Sequence, residues 1–351
     1  MVKARGFAAN VIFPSGAFRK EPAMRKTAAL ASAGLIITAG VALADTPVLT
    51  IYTYDSFTSE WGPGPAVKAA FEAECACTVD FVAAGDGAAL LARLQMEGGT
   101  SDADILLGLD TNLTASAVAT GLFAPHGVTP DVDLPIAWDD PTFLPYDWSH
   151  FALIGREGGP APASFRALAD SDASVIIMDP RSSTPGLGLL MWVKAAYGDE
   201  AGQIWADLAD NIVTVTPGWS EGWGLFLEGE ADLVLSYSTS PAYNIVVDND
   251  HSLRALPFSE GHYMQVEVAG KLAGSDQPAL ADQFLRFMLT PAFQSAIPET
   301  NWMYPAVMPE GGLGEGWSTL LQPEVSLLLS PDEAQALRSA AVDEWRDALS
   351  Q

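Results

Sequence analysis

Val48-Leu49-Thr50-Ile51-Tyr52-Thr53-Tyr54 opens a stretch in which strand and helix patterns alternate up to Gly108. Its β-branched and aromatic residues read as a strand. Gly62-Pro63-Gly64-Pro65 is a turn, and Pro65 suits the first turn of a helix over residues 66–74. Thr78–Ala83 reads as a second strand, Asp86-Gly87 as a turn, and residues 88–97 as a helix closed by Gly98-Gly99. Ala103–Gly108 is the third strand. Strand–helix–strand–helix–strand order implies a parallel α/β sheet.

A second set of the same kind follows. Strand patterns cover 175–178, 212–216, 232–236 and 263–268, and helical patterns cover 186–197, 220–228, 278–289 and 331–349. Pro130–Asp147 is rich in Pro, Asp and Trp without a clear period, and is read as a crossing. The expected fold is therefore α/β and two-lobed, with a ligand cleft between lobes at the carboxyl ends of the strands. Lobe 1 is expected over 45–145 and 259–305, lobe 2 over 146–258 and 306–351.

At the amino terminus, Met24-Arg25-Lys26 precedes an apolar run from Thr27 to Leu43 that ends Ala42-Leu43-Ala44. This is the form of a secretory signal cleaved after Ala44, too short to span a bilayer. Residues 1–23 add nothing that a signal needs, so Met24 is the expected start. Removing residues 1–44 takes away six basic residues and one acidic residue. The remaining 307 residues carry 11 basic and 43 acidic side chains, a net of −32. Such a charge argues against nucleic acid and against an anionic membrane surface as partners.

Conventional catalytic patterns are absent. There is no G-x-S-x-G elbow and no Walker A loop, and His126, His150, His251 and His262 lack metal-ligand spacing. Asp102, Asp104 and Asp110 read as a solvated acidic loop. Cys75-Ala76-Cys77 joins a helix end to a strand, as a local disulfide or as two buried thiols. What recurs instead is aromatic residues in loops beside strand ends: Tyr54, Trp61, Trp219, Trp223, Tyr237, Tyr243 and Trp302. Aromatics also fill cores, but several of these sit among Gly, Ser, Thr and Pro. Aromatic walls on an acidic protein suit a flat organic cation. Ser182-Ser183-Thr184-Pro185 and Ser238-Thr239-Ser240-Pro241 precede helices, and Asp86-Gly87 and Ser220 open two more. Free N–H groups at such starts can hold an anionic group without Lys.

Several long segments resemble the periplasmic thiamine-binding proteins of bacterial ABC transporters, which are type II solute-binding proteins. They include Tyr52–Phe57, Trp61–Pro65, Leu107–Asp110, Asp179–Leu190, Gly218–Glu221, Leu235–Tyr243, Ser259–Tyr263 and Asn301–Pro305, and Cys75-x-Cys77 is similar too. The resemblance implies capture of thiamine and its mono- and diphosphate in the periplasm, by a monomer without a cofactor, and delivery to a membrane permease. It implies a thiazolium ring held between Tyr54 and Tyr243, with Trp61, Trp219 and Trp302 as further walls. Asp86, Gly87, Ser183, Thr184, Tyr237, Ser238, Thr239 and Ser240 would supply the polar contacts. Two other readings are weighed. A thiaminase-I-like enzyme would need a cysteine nucleophile, and the two cysteines lie away from these loops. A polyamine- or iron-binding transport relative would use several cleft carboxylates or adjacent tyrosines, and no Tyr-Tyr pair occurs.

Overall fold

The computed structural model describes residues 46–350; the expected signal segment, residues 1–44, lies outside the described residues. Twelve strands among the described residues form one hydrogen-bonded network. They are β1 Val48–Thr53, β2 Thr78–Ala83, β3 Ile105–Asp110, β4 Phe123–Ala124, β5 Phe143–Arg156 and β6 Val175–Met178. β7 Ile212–Thr216, β8 Leu233–Tyr237, β9 Leu253–Ala255, β10 His262–Leu272, β11 Tyr304–Pro305 and β12 Ser326–Leu327 complete them. The helices are α1 Asp55–Thr58, α2 Gly64–Cys75, α3 Gly87–Glu97, α4 Thr114–Ala119, α5 Phe165–Ala169 and α6 Thr184–Tyr197. The later ones are α7 Ala201–Leu208, α8 Trp219–Glu228, α9 Ala242–Asp248, α10 Pro278–Phe287, α11 Pro291–Gln294 and α12 Pro331–Leu349.

The main strand order is β2-β1-β3-β10-β5-β8-β6-β7. β1 pairs in parallel with β2 and β3, and β6 in parallel with β7 and β8. Between these parallel sets run β5 and β10, antiparallel to each other and to their outer neighbours. β5 pairs with β10 through residues 143–150 and then with β8 through 151–155, so it passes from one parallel set to the other. The segment read as an aperiodic crossing thus already contains the start of the longest strand. Buried along nearly all its length, β5 shows no alternation, and Pro145 and Asp147 disguise it further.

Local chemistry fixes the connections that shape the site. A Cβ at Gly64 would stand 2.6 Å from the Phe57 carbonyl oxygen, so only glycine lets α2 start against α1. α2 ends with Ala76 at φ +51°, and the Cys75–Cys77 disulfide closes across that residue. Ser330 and Glu333 form a capping box on α12, with Pro331 in its first turn, and Lys194 Nζ holds Glu344 at 2.9 Å against α6. Asp104 and Asp110 are buried, not solvated as the sequence reading expected. Asp104 accepts hydrogen bonds from the Thr50 N–H and Ser275 Oγ, which repay its burial.

Candidate functional site

The carboxyl ends of the parallel strands converge on a cleft of about 580 Å³. Tyr54 follows β1, Asp86 follows β2, Thr184 follows β6, Trp219 follows β7 and Tyr237 ends β8; all five line it. Trp61, Ser240, Tyr243 and Trp302, also expected at the site, line it too.

Tyr54 forms the floor. Its ring packs over Gly108, where φ is +110° and a Cβ would overlap the ring. The Tyr54 hydroxyl lies 3.1 Å from Glu267 Oε2 and 3.3 Å from Asn301 Oδ1, and the Tyr146 hydroxyl donates to the same Glu267 oxygen at 2.7 Å. Burial, then the charge of Glu267, pushes both phenols well above their ordinary pKa. They stay neutral donors. Asn301 Nδ2 donates to Asp147 Oδ2 at 2.6 Å, which brings a second buried carboxyl to the same place.

Two aromatic groups wall the cleft. Trp219 and Trp223 stack with centroids 5.7 Å apart and planes 17° apart, and half-exposed Trp61 stands 6.3 Å from Trp219. The Trp219 indole is aimed by its N–H bond to Ser236 Oγ at 2.8 Å. Opposite residues are Tyr243 and Trp302, edge to face at 5.4 Å. Trp302 follows a π-helical turn at Ile297–Asn301 and itself adopts φ +56°, a costly conformation for a bulky residue that its stacking on Trp317 helps to hold.

The helix starts do meet. Asp86 sits at the N-cap position of α3 without bonding that helix's N–H groups; instead its Oδ2 accepts from Ser183 Oγ, the cap of α6, at 2.7 Å and from the first N–H of α8, Trp219, at 3.1 Å. The Gly87 N–H donates to Thr184 Oγ1 at 3.0 Å. Burial raises the Asp86 pKa to about 6. Gly87, Ser183, Ser238 and Thr239 do not line the cleft: they stand behind it. Ser238 and Thr239 are buried and reach Ser149 Oγ at 3.3 and 3.1 Å, and Thr239 also donates to Met303 Sδ. Ser240 bonds Ser236 Oγ at 2.6 Å.

Sequence reasoning missed Glu267, Glu299, Asn301 and Asn244 in the lining. A lone acid within Val266-Glu267-Val268 was the one available signal, since an unpaired charge inside an apolar strand is expensive. The lining holds three carboxyl groups, Asp86, Glu267 and Glu299, and no Lys, Arg or His. Among the described residues, no cysteine is free and no group of three or more His, Cys, Asp and Glu gathers around a metal-sized site. An acidic cleft with aromatic walls favours a flat organic cation.

Known proteins point the same way. A family profile described as bacterial extracellular solute-binding protein matches residues 63–300. The chain is 53% identical over 310 residues to the thiamine-binding periplasmic protein of Escherichia coli K12, covering 87% of this chain and 94% of that one. A solved periplasmic thiamin binding protein superposes with a TM-score of 0.84 at 52% identity, over 87% of this chain and 97% of that one. A ferric binding protein from Campylobacter jejuni superposes with a TM-score of 0.70 at 18% identity, over 86% of this chain and 99% of that one, and shares the fold alone. The two-lobed type II periplasmic architecture is thus the fold of this protein. The chain belongs to the bacterial extracellular solute-binding proteins, and among them to the family of periplasmic thiamine-binding proteins.

Proposed function

We propose that this protein captures thiamine in the periplasm and delivers it to the permease of an ABC transporter, acting as a binding protein and not as an enzyme. The observation that carries the reading is the lining: aromatic faces, three carboxyl groups and no basic side chain, in a chain half-identical to thiamine-binding relatives. The thiazolium lies between Tyr54 and Tyr243, with Trp219 and Trp302 flanking it. Residues 45–145 with 259–305, and 146–258 with 306–351, act as two lobes that close on the ligand by flexing about β5 and β10, and the closed monomer is what the permease recognises. The mono- and diphosphate are carried as well, their anionic ends directed toward the helix starts around Thr184 and Ser220.

Tryptophan fluorescence tests this on residues 45–351, unfolded and refolded to strip bound ligand. Saturable quenching by thiamine, with the vitamin recovered intact and no response to spermidine or ferric ion, is the expected result. Loss of intact thiamine would make the protein an enzyme; no response would remove the ligand assignment.

A further inference from the structure

Under the floor of the cleft, three acids stand in a row on three adjacent strands. Glu267 on β10 is in register with Asp110 on β3 to one side and with Asp147 on β5 to the other. Residues directly opposite in an antiparallel pair present their side chains to the same face. All three are buried: Asp110 and Asp147 are 0% exposed and Glu267 5%. Like charges so placed are destabilising unless they are compensated.

The two ends of the row differ. Arg338 on α12 faces Asp110 and Asn112 Nδ2 donates to it. Around Glu267 and Asp147 stand the phenols of Tyr54, Tyr146 and Tyr237, the Asn301 amide and Asp110, all of them neutral or acidic. Asp147 Oδ1 is buried without a hydrogen-bond partner, and Glu267 stands directly opposite Asp147 in the β5–β10 register. Two carboxyls in such a place share one proton. Burial raises both above the ordinary carboxylate range, in keeping with that arrangement. Only Glu267 reaches the cleft lining, where Tyr54 hydrogen-bonds to it.

We infer that the Glu267–Asp147 pair is the countercharge for the captured cation, and that docking of the cationic ring over Tyr54 expels the shared proton to solvent. The empty pair carries one negative charge and one proton. With a fixed positive charge above it, the doubly ionised pair is favoured, and the proton leaves through the cleft before the lobes close. Glu267 and Asp147 thereby select a permanently charged heteroaromatic ring over a neutral ring of the same shape. By linkage, a ligand that binds the deprotonated form better must bind more tightly as the pH rises, until the empty pair has itself lost the proton.

The inference rests on the proposed thiamine ligand, and titration calorimetry of the full exported chain separates the two. Thiamine is titrated at pH 6.5 in phosphate and in Tris, whose heats of ionisation differ widely, and its affinity is then followed from pH 6 to 8.5. Release of close to one proton per thiamine at pH 6.5 is expected, with affinity rising up to about tenfold per pH unit before it levels off. Glu267→Gln and Asp147→Asn should each abolish the buffer dependence. Glu267→Gln should also cut the preference for thiamine over its neutral thiophene isostere by at least tenfold. Thiamine binding with equal heats in both buffers and a flat pH profile would overturn the proton exchange and leave the ligand assignment standing. Absence of thiamine binding to the unaltered protein would overturn both.

Discussion

The carboxylate of Asp86 accepts a hydrogen bond from the Ser183 hydroxyl at 2.7 Å, joining two helix caps that lie 97 residues apart in sequence. Together with the Trp219 N–H it gathers the starts of α3, α6 and α8 around one negative charge. Sites of this kind bind anions in many proteins. Here an acid of the chain already occupies it.

Asp86→Asn keeps an acceptor for Ser183 and Trp219 and removes the charge. Thiamine monophosphate should then gain about tenfold in affinity relative to thiamine, roughly 1.4 kcal/mol, because a repulsion at the helix starts has been deleted. Competition titrations with the two ligands measure it. An equal change for both would mean that the phosphate does not approach Asp86. Burial raises the Asp86 pKa to about 6, so ionisation costs stability as the pH rises through that value; the same variant should be less sensitive to pH between 4 and 6.

Gly108→Ala should damage the site from beneath. The new methyl would overlap the Tyr54 ring at a residue with φ +110°, so we expect a loss of about 2–4 kcal/mol in stability and at least tenfold weaker thiamine binding. Gly121→Ala provides the contrast: φ is +71° there and nothing lies within 4 Å of its Cβ, so about 1 kcal/mol should be lost with affinity unchanged. Thermal unfolding and fluorescence titration of the two variants test the pair.

Trp219→Ala removes a stacked wall and the indole bond to Ser236. All thiamine forms should weaken alike, by about 2–3 kcal/mol, as for an aromatic anchor at the centre of an interface. Calorimetry with thiamine and both phosphates decides this; weakening confined to one form would assign Trp219 to the tail of the ligand and not to its rings.

How far the sequence revealed these features depended on periodicity. β2, β6, β7 and α12 begin and end where their patterns do: β2 and β7 alternate, β6 is a short apolar run between Ser174 and Asp179-Pro180, and α12 opens on the Ser330 cap. β5 escaped because, buried on both faces, it has no alternation to read, and Pro145 and Asp147 interrupt the apolar run that would otherwise mark it. The aromatic lining was legible, since large rings in Gly- and Ser-rich loops need a purpose. The support behind it was not. Ser183, Gly87, Ser238 and Thr239 look like ligand donors in sequence, yet their hydroxyl and N–H groups are taken up by other parts of the chain. Asp147 and Glu267 come together only through the register of β5 and β10, which no local pattern encodes.

Asp110 should lower stability as the pH rises from about 4 to about 7. Its carboxyl is buried with Oδ1 unpartnered, and burial raises its pKa to about 7 from an unfolded value of 3.8. A raised carboxyl contributes fully below the unfolded value and loses that contribution as the pH rises through the folded one, about 4 kcal/mol at 1.4 kcal/mol per unit. Asp110→Asn should therefore flatten the dependence between about pH 4 and 7, gaining on the parent protein as the pH rises through that range. Urea unfolding at five pH values measures the slope; parallel curves would mean that Arg338 neutralises the carboxylate after all.

His150 acts over nearly the same window with the opposite sign. It lies on β5 with Nε2 3.0 Å from Ser326 Oγ, and burial followed by the neighbouring His262 lowers its pKa to about 4 from 6.5. A base with a lowered pKa in the folded state binds its proton first in the unfolded chain, so stability is complete above 6.5 and falls as the pH drops toward 4. The largest loss is about 3 kcal/mol. His150→Gln retains a partner for Ser326 and cannot titrate, so its unfolding free energy should fall less than the parent's between pH 6.5 and 4.5. Because His150 is paired with Met264 of β10, the register that also places Glu267, acid weakening of this contact should precede loss of the β5–β10 pairing. Amide exchange at residues 264–267 that accelerates on acidification in the parent, and not in His150→Gln, would show that order of events. Acceleration in both proteins would point instead to His262, whose pKa burial also lowers, since the buried carboxyls with raised pKa gain and do not lose stability on acidification.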